Sequence, residues 1–192
     1  MNIIKGSLAI ALTKFIFLYL SFIGLAQSAF MVEPGIKLYS GEFKVAERTG
    51  EFTGKVANLN LGYMDKNFMV GITLEKGDYE YDSEVTEDGY EKFDGGGVGT
   101  YIGFIFFDRI RVWTNYLNST LEPKSNSDIR YFGQNFTYGL GYRVYDGLLI
   151  NYQFFSNHFT QKEDDTTGKT EGLLSNIKTQ GTSLSLSFIL VF

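Results

Sequence analysis

The 192-residue chain has no cysteine, which excludes disulfides and thiolate metal sites together. It has a single histidine, so a multi-histidine metal centre is excluded as well. Basic residues are in the minority, 17 against 22 acidic ones, for a net charge of −5. No basic stripe stands out, and the chain therefore lacks the electrostatic footprint of a nucleic-acid binder. After residue 30 no apolar run reaches transmembrane-helix length and no 3.6-residue apolar stripe appears. There is no Walker loop, lipidation cysteine or Ser/His/Asp set. Gly95-Gly96-Gly97-Val98-Gly99 is not a dinucleotide fingerprint, because no βαβ pattern surrounds it; it reads as the start of a strand that leaves room beside it. No cofactor and no resident metal are expected.

What the chain has instead is aromatic rings and glycine. Eighteen Phe, thirteen Tyr and twenty-two Gly stand against two Pro, a balance that favours β-structure with tight turns and close backbone contacts. Residues 1–28 read as a signal peptide. Lys5 and Lys14 supply positive charge, Phe15 to Leu25 is an apolar run, and Ala26-Gln27-Ser28 presents small residues at a cleavage site. The run is shorter than the roughly 20 residues of a membrane anchor. Export through the Sec pathway, cleavage after Ser28 or Ala29 and a mature barrel over 30–192 are the expectation.

Period-two alternation recurs along the rest of the chain. Leu184, Leu186, Phe188, Leu190 and Phe192 share one parity, with Ser183, Ser185 and Ser187 on the other. Phe136, Tyr138, Leu140, Tyr142 and Val144 behave likewise, as do Phe68, Val70, Ile72 and Leu74. Since strand side chains point to opposite faces in turn, each segment has one oily face and one polar or glycine face. The spacing predicts strands over 35–46, 52–64, 68–82, 97–107, 110–121, 131–145, 148–161 and 179–192. Tight turns fall at 65–67, 107–109 and 145–147, and longer polar stretches at 83–96, 122–129 and 162–178, with a shorter connection at 47–51. Short and long connections alternate, so the short turns collect at one end of an eight-stranded antiparallel meander. A soluble barrel with its oily face inside shares the alternation. Two features favour a transmembrane barrel: the polar face is rich in Asn, Ser, Thr, Gln and Gly, and aromatics gather near the strand ends as an interfacial girdle does.

The final stretch SLSLSFILVF, ending on Phe192, resembles the C-terminal signal by which the barrel-assembly machinery inserts outer-membrane proteins, with Leu184, Leu186, Phe188, Leu190 and Phe192 as its apolar positions. With the signal peptide and the four-hairpin layout, the chain resembles the small OmpA/OmpX-like outer-membrane β-barrel class. The resemblance implies an all-β, eight-stranded up-and-down transmembrane barrel in a bacterial outer membrane, a monomer among outer-membrane lipid and lipopolysaccharide. It is silent on activity.

Parity assigns Lys37, Glu75, Arg111, Arg143, Asn115, Asn151 and Gln153 to the lumen, together with Tyr39, Tyr101, Trp113 and Phe155. A bulge at Ser40-Gly41 would turn Glu42 and Lys44 inward too. An eight-stranded interior is only just wide enough for side chains, so these groups predict a plug of salt bridges and amide hydrogen bonds; a narrow path for solutes or hydrophobic molecules is the competing reading. His158, followed by Glu163, invites comparison with outer-membrane lipid-modifying enzymes, but Thr160 stands where their serine would, and a solvated histidine is the simpler assignment. Asp78, Glu80, Asp82 and Glu84 alternate with Tyr79 and Tyr81, a carboxylate row suited to a hard cation, to cation bridging of lipopolysaccharide phosphates, or simply to a solvated loop. The expected function is therefore non-enzymatic: envelope structure or surface interaction through acidic loops.

Overall fold

A computed structural model describes residues 29–81 and 92–192; the signal-peptide segment, Asp82 and Glu84 lie outside the described residues. All regular structure among the described residues is β. The strands are β1 (Ala29–Val45), β2 (Arg48–Met64), β3 (Phe68–Tyr81), β4 (Lys92–Phe106), β5 (Ile110–Pro123), β6 (Ile129–Tyr145), β7 (Leu148–Asp164) and β8 (Lys169–Phe188), with β9 (Leu190–Val191) continuing the last strand past Ile189. Each pairs antiparallel with its neighbours in sequence, and β1 pairs with β2 on one side and with β8 and β9 on the other. The sheet is therefore closed and has no free edge, which satisfies the backbone polar groups where no water can do so.

The register fixes the dimensions. Partners followed once around the barrel run Gly35, Asn58, Glu75, Gly97, Ser119, Gly133, Phe159, Ile177 and back to β1 at Val45, ten residues further on. Eight strands with that stagger tilt by about 40° and close at a backbone radius of about 8 Å. Phe192 N–H and C=O both bond to Phe30 (2.9 and 3.2 Å), fastening the chain's end to its first strand.

The strand limits differ from those read in sequence. The first strand starts at 29 rather than 35 and the second at 48 rather than 52. Parts of the stretches taken as long loops are strand: β4 already runs from Lys92, and the 162–178 stretch is a hairpin turning at 165–168, while 124–128 is a turn as expected. The bulge at Ser40-Gly41 is not formed. The β1–β2 register runs unbroken from Ala29 to Val45, and Glu42 and Lys44 point outward into solvent while Phe43 and Val45 are buried.

One physical cause explains these differences. Near the short turns the outward face is oily: Phe30, Ile36 and Leu38 on β1, Phe68 to Leu74 on β3, Phe136 to Val144 on β6, Ile150 to Phe154 on β7. This belt stands about 20 Å tall between Cα positions at the barrel's tilt, close to the roughly 25 Å band of an outer-membrane barrel. Above it the outward residues become polar (Ser40, Glu42 and Lys44; Lys76, Asp78 and Glu80; Ser156, His158 and Thr160), and the inward ones become aromatic. On β1 to β5 the apolar residues thus change sides while the register runs unbroken; above the belt β6 and β7 carry irregularities between Phe132 and Gly133 and between Phe159 and Gln161. Below that level the surroundings are lipid and the oil faces out; above it they are water and the oil faces in. An outward polar face on a water-exposed strand pair reads, in sequence alone, as a loop.

Candidate functional site

The lumen is the one place where strands from all sides bring polar side chains together, and it is layered. Highest is an aromatic layer of Tyr39, Phe43, Phe52, Tyr81, Phe93, Tyr131, Phe155 and Phe159. Its rings meet edge to face, with centroids at 4.9 Å for Phe43–Tyr81, 5.0 Å for Tyr81–Phe93 and 4.8 Å for Tyr39–Phe155, while Phe52 stacks on Tyr81 at 5.3 Å. Such pairs add about 0.5–1.5 kcal/mol each beyond their buried area. Room for the rings comes from missing side chains: a Cβ on Gly95 would sit 2.4 Å from the Tyr79 ring, and one on Gly139 2.5 Å from the Trp113 indole. Burial pushes the Tyr79 and Tyr81 phenols well above their ordinary value.

Beneath this layer, within the height of the apolar belt, lie two buried ion pairs. Lys37 of β1 bonds to Glu75 of β3, and Tyr39 donates its hydroxyl to the same carboxylate at 3.2 Å. Arg111 of β5 reaches across the barrel to Glu33 of β1 with two parallel bonds of 2.7 and 2.5 Å. Arg111 also donates to Asn151 Oδ1 (3.0 and 2.7 Å). Asn151 donates to Ser185 and Ser187, both at 3.1 Å, and Ser187 donates to Glu33 at 2.5 Å. This is a closed ring of side chains drawn from β1, β5, β7 and β8. Gln153 joins it through Ser185 at 2.9 Å. Trp113 lies between the two cations, with Lys37 Nζ 5.8 Å and the Arg111 guanidinium 5.9 Å from its ring. The four charges sum to zero, and each is matched within the barrel.

Of the lumen residues read in sequence, Lys37 and Glu75 form one cluster and Arg111, Asn151 and Gln153 the other. Asn115 is buried, and its Oδ1 has no hydrogen-bond partner among the described residues. Arg143 stands apart, half-buried at the short-turn end beside a recess of about 190 Å³ lined by Asp65, Lys66 and Asp108; its Nε has no hydrogen-bond partner among the described residues. Glu33, the partner of Arg111, was missed because the expected first strand began two residues after it. Counting back from Lys37 by the strand period would have placed it.

The remaining sequence candidates face outward. Asp78 takes a bond from Lys124 at 2.5 Å, which holds its carboxyl below the usual range, and Lys124 also reaches Asp94 at 3.1 Å. Glu80 lies 3.7 Å from Lys92. The two described carboxylates are thus spread among lysines, and no group of three potential metal ligands occurs among the described residues. His158 lies on the outward face, opposite Gln134 on one side and Lys178 on the other, and neither neighbour is a nucleophile or an acid. Leu184, Leu186, Phe188 and Leu190 face outward and Phe192 is largely exposed.

No known protein family matches the sequence, and no curated protein is similar to it. Among solved structures, Neisserial surface protein A superposes with a TM-score of 0.52 at 11% identity, over 83% of this chain and 96% of that one. Ail, the attachment invasion locus protein of Yersinia pestis, solved with the heparin analogue sucrose octasulfate, does so at 0.52 and 8% identity, over 85% and 99%. At such identity the likeness is one of architecture. Closure of the sheet, the outward apolar belt and these superpositions agree: the chain has the fold of the small eight-stranded outer-membrane β-barrels.

Proposed function

We propose that the protein is a non-enzymatic, monomeric barrel of a bacterial outer membrane, exported with a cleaved signal peptide. On this reading its strands hold acidic surface segments above the bilayer, and its lumen is a structural plug. The observation that carries the reading is the Arg111–Glu33 pair. It joins strands on opposite sides of the barrel and lies beneath a continuous aromatic layer. A solute would have to break a buried bidentate ion pair and part that layer to pass. The work of the protein then falls to the exterior: envelope structure, or contact made by the part that rises above the membrane. Single-channel recording on refolded protein in planar bilayers tests this. Silence is the expected result, and stable openings would refute the plug.

One observation favours a narrow conduit as the second reading. Asn58 Oδ1, Asn115 Oδ1, Gln153 Oε1 and Ser183 Oγ are buried without hydrogen-bond partners among the described residues, and such groups are costly unless water reaches them. Openings that persist in Glu33→Gln but are absent from the native protein would assign that polar strip to a latent path. Against enzymatic action around His158, its Nε2 has no hydrogen-bond partner among the described residues.

A further inference from the structure

The chain has four methionines, and the three within the described residues, Met31, Met64 and Met69, meet at the short-turn end of the lumen. Met64 of β2 is opposite Met69 of β3. Met31 of β1 is opposite Gly62, which makes it the diagonal neighbour of Met64. Cβ atoms of opposed residues lie about 4.5–5.5 Å apart, and diagonal ones somewhat further. Methionine is unbranched and turns about three bonds, so the three sulfurs can close on one point. Filling a core does not call for this grouping. The aromatic layer above is packed without a single methionine, and a gap-filler would be spread between the two.

Two further observations fall on the same spot. The Tyr101 ring lies over Gly71 and Gly62, and its hydroxyl, 2.7 Å from where a Cβ on Gly62 would stand, is directed along that row toward Met31. Tyr101 is buried, and this hydroxyl has no hydrogen-bond partner among the described residues. Met64 is half-buried and also walls the recess of about 190 Å³ beside Arg143. The buried sulfurs are therefore reached from the short-turn end. Asp65 and Asp108 balance Lys66 and Arg143 around that recess, so what it admits is selected by sulfur rather than by field.

No trio of His, Asp or Glu among the described residues is placed to hold a metal, but a thioether is a ligand of another kind. It is soft and neutral, and it selects Cu(I) over the hard cations Ca(II) and Mg(II). Zn(II) would need thiolate, imidazole or carboxylate. We propose that Met31, Met64 and Met69 together bind one soft monovalent cation, Cu(I), at the mouth of the lumen beside the Tyr101 hydroxyl. Three neutral ligands in a dry place suit a single positive charge better than a double one, whose desolvation costs more. The recess supplies the entry path that such a site requires. The site stands on the packing at this end of the barrel. Only the compartment it samples, the one the short turns face, rests on the outer-membrane reading above.

Refolded protein in chloride-free detergent micelles is titrated with Ag(I), a redox-inert stand-in for Cu(I). Native mass spectrometry is expected to count one silver ion per chain. Trp113, the sole tryptophan and a member of the same cluster, should lose emission with a break at one equivalent. Met31→Leu/Met64→Leu/Met69→Leu nearly conserves volume and should abolish both signals. Met64→Leu alone, at the half-buried position, should weaken binding by more than about tenfold, and it decides the matter if heat-modifiable gel mobility shows the triple variant unfolded. His158→Gln should leave both signals unchanged, and Mg(II) should not compete. X-ray absorption of the Cu(I) adduct should show sulfur neighbours. The proposal is overturned if the native protein holds no silver, or if the folded triple variant or Met64→Leu holds it undiminished. A shell of nitrogen and oxygen alone, loss of binding in His158→Gln, or displacement by Mg(II) overturns it too. Insertion into lipid vesicles is scored without metal. Failure to insert would sink the outer-membrane reading, whereas an inserted barrel that ignores silver sinks only this site.

Discussion

Glu33 and Arg111 offer the sharpest test of how dry the lumen is. Glu33→Gln keeps shape and volume but removes the charge that Arg111 faces through bonds of 2.7 and 2.5 Å. The guanidinium cannot lose its proton, and its side chain is 5% exposed. Its other partners, Asn151 and the Trp113 ring, are uncharged. Breaking a buried pair by removing one partner costs about 3–5 kcal/mol, because the survivor's charge is left uncompensated. Replacing both, as Glu33→Gln/Arg111→Gln, removes the stranded charge and should recover most of that loss, so the two substitutions should be strongly non-additive in a double-mutant cycle. Urea unfolding from lipid vesicles measures it. Trp113 is the sole tryptophan, so its emission reports the site directly and should shift in both variants. A cost for Glu33→Gln below about 1 kcal/mol would refute the reasoning: it would mean that water already reaches Arg111 and that the lumen is open rather than plugged.

Three further outcomes follow from other parts of the barrel. Leu186→Arg and Leu140→Arg place a charge near the middle of the apolar belt and should each cost about 2–4 kcal/mol. Ser185→Arg should cost at least as much, since Ser185 is buried against Asn151 and Gln153; a penalty under about 1 kcal/mol there would reveal a roomy, wet interior. In the turn after β4, Asp108 holds a left-handed conformation with φ of 57°, so Asp108→Gly should stabilise by about 0.5–1 kcal/mol, and an unchanged urea midpoint would contradict the strain. Tyr81 has its phenol pushed up by burial, so the folded state holds a proton that the unfolded state releases near pH 10. Its contribution is fully present below that pH and is lost as pH rises toward the folded value. Stability should therefore fall above about pH 10 and fall less steeply in Tyr81→Phe; parallel slopes would mean that the ring is solvated.

The lower half of the barrel was legible in sequence because there the alternation is simple: apolar outward, polar or glycine inward, turns short. Lys37, Arg111, Asn151 and Gln153 were placed in the lumen on parity alone, and the structure puts them there. The upper half was not legible, for a reason of solvent rather than of backbone. Phe43, Tyr81, Phe93 and Phe159 are inward by the same parity that makes Lys37 and Glu75 inward. An apolar residue at a polar phase, however, looks like a bulge, and a charged outward residue looks like a loop. Glu33 was lost to an end effect, since the opening residues Ala29 to Pro34 of the first strand carry too little alternation to announce themselves. Partner choice within the lumen was beyond the pattern, because pairing depends on stagger, and the ten-residue stagger accumulates over eight registers that sequence does not print.

The change of sides at the level of Ser40 also makes the barrel divisible. Below that level every strand obeys one recipe, and above it another, yet hydrogen bonding is continuous across the join and turns on no particular side chain. The upper segments, from Gly41 to Thr53 on the first hairpin and their counterparts, could be exchanged as cassettes between barrels of equal strand number and stagger. Each donor cap would bring its own aromatic filling, and each recipient base would keep its ion pairs and its seat in the lipid. Surface variation and membrane residence are in that sense separately inherited properties of a single sheet.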